Sequence, residues 1–295
     1  IVESQLLRKR LVNGMHETEF TAGIPFGPAT ERAREILLEK DRQLLRSIRE
    51  QGGMENYVES QPDLKDAFTD EKRDLCCMDE RTAKGTLNVP GSGILLEGDQ
   101  AQREYLKRLH EAGVQGVYSH DGCGAAKLFA KKQGIIDYNA ASVAYARDLA
   151  QQLGVEYKGH LKTSGEHPGR VVYYDTSGQM NRNTQVWQEK MPTGFAVSRS
   201  VLSHDEAIDA LVLAVKIAFG EHGYGPEYFS EIDPLSLVYV MRESQDFAQS
   251  EEMLRKELED CYEKIVEKIP EARGKIYIEG FRVPEATAEE ILEVA

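Results

Sequence analysis

The chain has 295 residues, 41% hydrophobic and 29% charged, which excludes a peptide-sized or disordered protein and points to one large or two modest soluble domains. Its 36 Lys and Arg against 50 Asp and Glu leave a formal charge of −14, which disfavours generic attraction to nucleic-acid phosphate or to an anionic membrane. Four cysteines, two of them the adjacent Cys76 and Cys77, are too few to staple the fold, so a reducing compartment is expected.

Residues 1–70 read as a helical arm. Its clearest helix runs from 28 to about 51, where Ala33, Ile36, Leu37, Leu44 and Ile48 recur at helical intervals. Thr30 is its candidate cap and Gly52-Gly53 its stop. Residues 54–70, with Pro62, read as a short helical piece or loop. A strand is expected over 73–78, then a loop carrying Gly85, Pro90, Gly91, Gly93 and Gly98, a helix over 100–112 and a strand over 114–118. Helices follow at 125–132 and 140–153. Strand and helix thus alternate in the order of an α/β unit with a largely parallel sheet.

Strands are next expected over 155–161 and 169–175, then a polar stretch over 178–188. Ser203 with Glu206 forms a capping-box pattern ahead of an apolar helix stopped by Gly220. A strand at 235–240, a charged helix at 250–269, a strand at 274–281 and a helix at 287–294 complete the chain. The expected organisation is an N-terminal arm (1–70), an α/β core with a central, largely parallel sheet flanked by helices (71–199), and a C-terminal α/β extension (200–295). That extension either continues the sheet or forms a second layer, and no internal repeat is legible. The longest apolar run, Ala210 to Val215, ends at Lys216, far short of the roughly 20 residues of a membrane helix. The first ten residues lack the order of a secretory signal, so a cytoplasmic location is expected, although a start without Met leaves room for a removed targeting segment.

Chemistry concentrates at two strand ends, Cys77-Met78-Asp79-Glu80-Arg81 and His120-Asp121-Gly122-Cys123-Gly124. Two thiolates and one imidazole suit zinc, which takes S and N donors in a tetrahedral shell. Parallel sheets present ligands at the carboxyl ends of their strands, so Cys77 and His120, 43 residues apart, can meet there. In extended backbone Asp79 and Arg81 share the face of Cys77, where Arg81 can hold the Asp79 carboxylate off the metal. Asp121 suits either a ligand-orienting role or the turn alone. Cys76 and Cys261 read as core residues, and His160, His167, His204 and His222 as surface, cap or local structure.

The pattern Cys77-x-Asp79-x-Arg81 with His120-x-x-Cys123-Gly124 resembles the beta-class carbonic anhydrases and the related cadmium-tolerant class. The resemblance covers about 73–124 and runs more loosely to 178. It implies Cys77, His120 and Cys123 as ligands of one zinc ion per subunit, with cadmium or cobalt as alternatives, and Asp79 and Arg81 as the pair that gates or orients the fourth ligand. It further implies a pocket near Asn88, Gly91 and Gly124, reversible hydration of carbon dioxide to bicarbonate and a proton by metal-bound hydroxide, and a homodimer or higher homo-oligomer. Glu80 stands where that family usually carries a small residue, the interval between half-motifs is short, and 200–295 is additional. A carbon disulfide or carbonyl sulfide hydrolase, a structural-zinc interaction protein and a thiol redox module are the competing readings.

Overall fold

The structure, a computed structural model, describes residues 28–69, 73–82, 84–163, 167, 169–220, 225–242 and 247–283. The helix expected at 287–294 and His222 lie outside these residues. Helix α1 spans Pro28–Glu50, so Thr30 lies within it instead of capping it, and α2 spans Met54–Glu59. The first sheet comprises β1 (Asp74–Cys76), β2 (Leu87–Asn88), β3 (Gly116–His120) and β4 (Glu156–Leu161), in the order β2-β1-β3-β4. Helices α3 (Asp99–Glu111), α4 (Gly124–Gln133) and α5 (Tyr138–Leu153) carry its crossovers.

The second sheet comprises β5 (Val171–Asp175), β6 (Gly194–Ser198), β7 (Leu235–Met241) and β8 (Ile276–Arg282), in the order β6-β5-β7-β8. Helices α6 (Gln185–Lys190), α7 (His204–Ala218) and α8 (Phe247–Lys268) join its strands. The Ser203 and Glu206 capping box is formed. Every ladder in both sheets is parallel. The fold is therefore α/β, and the later strands build a sheet of their own.

The two sheets repeat one topology. Tyr118 pairs with Gly159 across β3 and β4, and Tyr239 with Gly280 across β7 and β8, so both partners recur after 121 residues. Each tyrosine is the half-buried position between buried neighbours, and a side chain at Gly280 would run into the Tyr239 ring. Carrying this register onto the first strands places Leu75 opposite Tyr173 in the repeat, and Cys77 opposite Asp175. His120 corresponds to Met241. The second sheet thus lacks the thiol and imidazole of these positions. The repeat escapes the sequence because β2 lies in a stretch that reads as loop, because α6 and β6 lie in and beyond the polar 178–188 stretch where no element is expected, and because the matched residues differ in kind.

Alternate residues of β5 face different cores, as expected of a strand covered on both sides. Val172 and Tyr174 join Leu75, Val117, Phe195 and the apolar face of α7 in one core, which spans both sheets. Val171 and Tyr173 join Leu45, Ile48, Met54 and Tyr57 in the other. The N-terminal helices therefore pack on the chain's own second sheet. Ile36, counted among the apolar face of α1, is 63% exposed. No helix of the described residues is long and apolar enough to cross a membrane.

Candidate metal centre

Cys77 follows the last residue of β1, His120 ends β3, and Cys123 is the residue from which α4 starts. Gly122, at φ 69°, makes the turn that brings His120 and Cys123 to one side. One donor atom from each of the three side chains lies within 4.8 Å of the others, and all three residues are buried. The two sulfurs are 4.0 Å apart. Two Zn–S bonds of about 2.3 Å at a tetrahedral angle require about 3.8 Å.

His120 Nδ1 lies 2.8 Å from the Asp121 carbonyl, which only accepts, so the proton sits on Nδ1 and the Nε2 lone pair is free. That Nε2 is buried with no hydrogen-bond partner. A buried polar atom without a partner is costly, and a metal ion is what the chemistry of this donor set fits. The pattern matches the zinc-binding motif of the beta-class carbonic anhydrases.

Among themselves, the three side chains share their protons unequally. A hydrogen bond from the Cys123 thiol, with His120 alongside, holds the Cys77 thiol well below its usual value despite burial. The same contact and burial push Cys123 far up. Burial would lower His120, but the Cys77 thiolate raises it. Gly91 donates its N–H to Cys77 Sγ at 3.2 Å. A side chain at Gly91 would meet Ile94 Cγ2 at 2.7 Å, Ala125 Cβ at 2.9 Å and Cys123 Sγ at 3.4 Å.

Beside the triad, Asp79 accepts from Arg81 Nε at 2.9 Å and Nη2 at 2.6 Å, and from the Arg81 backbone N–H at 2.9 Å. Burial alone would raise Asp79, yet these bonds and the neighbouring charges hold it well below the carboxylate range. Its Oδ2 stands 3.9 Å from His120 Nδ1. Thr82 Oγ1 closes the turn on the Cys77 and Asp79 carbonyls. Asp79, Glu80 and His167 also place donor atoms within 4.8 Å of one another, but the Arg81 guanidinium already bonds Asp79 and lies 3.3 Å from His167 Nε2. The cation of that second cluster is Arg81.

Asn88 is fully buried, giving Nδ2 to the Thr86 carbonyl and accepting from Arg182 Nη2, and Gly124 starts α4 against Ile217. Asp121 does two jobs: its carbonyl fixes His120, and its carboxylate lies 2.7 Å from His160 Nε2 while His160 Nδ1 meets Ser119. Cys76 and Cys261 are core thiols, each pushed by burial to about 12. His204 is an exposed partner of Glu257.

His167 is the residue whose sequence reading as local structure fails. It meets Arg81 and Glu80 from 86 and 87 positions further on, a distance no spacing rule detects. Arg182 carries no sequence signal either: it donates to the Gly194 and Asp79 carbonyls and to Asn88 Oδ1. With Ala196 N donating to the Met78 carbonyl at 3.0 Å, the second sheet and its approach clamp the 77–82 loop. No protein-family model, curated protein or solved structure matches this chain.

Proposed function

We propose that the chain catalyses the reversible hydration of carbon dioxide to bicarbonate and a proton, using one zinc ion held by Cys77, His120 Nε2 and Cys123. The observation that carries this reading is the engagement of both Asp79 oxygens by Arg81. A structural zinc is closed by four protein ligands, whereas here the carboxylate beside the triad is held on a guanidinium, so a zinc on the triad would keep its fourth position for water. When bound, zinc supplies Lewis acidity that acidifies a water at that position and stabilises the anion that forms.

The remaining work belongs to the chain. The Asp121 carbonyl fixes the His120 tautomer, so that Nε2 is the atom that would hold the ion. The Gly91 N–H spreads the charge of the Cys77 thiolate. Asp79, kept ionised by Arg81, would be the acceptor for a hydrogen bond from a water beside the triad and so would orient it. Val89, Ile94, Ala125 and Ala126 belong to the same apolar core as the two cysteines, a setting suited to an uncharged substrate of a few atoms. The proton leaves to external buffer.

Stopped-flow indicator assays on the zinc-replete chain test this reading, with metal content measured alongside. Hydration is expected in the wild type and is lost, with the metal, in Cys77→Ser and His120→Asn. Firmly bound metal with no hydration at any pH overturns it. Carbonyl sulfide and carbon disulfide, assayed in parallel, separate the related hydrolases.

A further inference from the structure

Asp79 and Glu80 are adjacent buried carboxylates, and Arg81 is the guanidinium beside both. Such an arrangement is ambiguous, since Arg81 is attracted to either. We propose that His167, held by Glu80, is the positioning residue that resolves the ambiguity: it satisfies Glu80 and leaves Arg81 committed to Asp79. This inference rests on the metal-centre reading above.

The geometry assigns the tautomer. Arg81 Nη2 has only protons to give, so His167 Nε2, 3.3 Å away, accepts. Nδ1, which lies 3.2 Å from both Glu80 oxygens, carries a proton and donates to them. Gly169 N donates to Glu80 Oε1 at 3.3 Å. Glu80 is thereby supplied with donors that do not include Arg81, whose Nε and Nη2 both go to Asp79. The ring is held in place by Phe195 of β6, with centroids 5.3 Å apart. Without His167, Glu80 is a buried carboxylate lacking its imidazole donor, and the nearby guanidinium is drawn toward it. Asp79 is then released toward the metal.

Outer partners of this kind typically change activity by about 10- to 100-fold. In the zinc-replete full chain, His167→Leu is expected to lose about that much in kcat. With cobalt in place of zinc, its visible spectrum is expected to shift to that of Arg81→Leu, the signature of a carboxylate entering the coordination shell. His167→Gln, which offers one donor and one acceptor, should restore most of the rate. Glu80→Gln combined with His167→Leu should restore part of it, because the competing charge is gone. Nitrogen-15 NMR of the wild type should show His167 protonated on Nδ1 and bare on Nε2.

The inference is overturned by a proton on Nε2, by equal impairment in the Leu and Gln variants, or by a Leu variant with wild-type rate and spectrum. A wild type without hydration counts against the proposed function instead, and the tautomer and cobalt spectrum then decide this inference by themselves.

Discussion

Arg81→Leu removes the two side-chain donors that hold Asp79 at 2.9 and 2.6 Å and leaves the carboxylate, 3% exposed, with one backbone N–H. Breaking a buried ion pair by deleting one partner costs about 3–5 kcal/mol, and the surviving amide puts this case near the lower end, ~3 kcal/mol. For a chain of this size that corresponds to a fall in Tm of roughly 5 °C. The loss should depend on pH. In the wild type the Asp79 pKa is depressed, so its contribution is fully present above the unfolded carboxylate value of about 4 and is lost as pH falls through the folded value. In the variant the unpaired, buried carboxylate titrates above the unfolded value and regains stability by protonation as pH falls. The gap between wild type and variant is therefore widest at neutral pH, narrows toward pH ~4, and closes only as the wild-type carboxylate itself titrates at lower pH. Zinc should also narrow it, because the freed carboxylate gains the metal as a partner, while hydration falls at least about tenfold. Differential scanning calorimetry of both proteins, with and without zinc at pH 7 and 4.5, reads all of this. A destabilisation that is the same under all four conditions refutes the reasoning.

Gly91→Ala forces a Cβ onto a residue at φ 53° and against Ile94 and Ala125, for an expected loss of about 2–4 kcal/mol. Because the Gly91 amide must move off Cys77, zinc affinity should fall as well, and competition with a chromophoric chelator measures it. Asp175 is raised by burial from 3.8 to about 6, although Ser177 and Gly178 donate to its Oδ1. A raised acid weakens the fold as pH climbs through that window, so Asp175→Asn, which keeps the Oδ1 acceptor, should gain on the wild type by up to ~3 kcal/mol between pH 4 and 7. Urea midpoints that show a pH-independent difference between the two proteins count against this.

What the sequence made legible follows the range of the physics involved. The α3, α5 and α7 helices announce themselves through local periodicity, capping and terminal glycines, and they form within a residue or two of their expected ends. The triad was legible because each half-motif lies within one turn and a parallel sheet supplies the meeting point. Short β2, between glycines, and β6, after the polar 178–188 stretch, carry no alternation of their own. They are strands because β1 and β5 offer them unpaired edges. His167 and Arg182 fail to announce themselves for the same reason: their partners are chosen by how the two sheets meet.

That meeting explains why a unit without its own ligand set is joined to one that has it. The facing edges are β2 and β6, tied where Asn88 N donates to Ser198 Oγ at 2.8 Å. The 77–82 loop emerges at this seam. Three of its positions are addressed from the second unit or the segment that leads into it: Met78 by the Ala196 amide, Asp79 by Arg182, and Glu80 by His167 and Gly169. A loop that must hold a thiolate and a carboxylate side by side, both nearly sealed from water, cannot rely on solvent for its backbone bonds. The second unit supplies them, and with them the fixed frame in which Arg81 meets Asp79. Asp175 and Met241, at the positions matching Cys77 and His120, fit this division of labour: one sheet carries the ligands, and its counterpart holds the wall against which they are set.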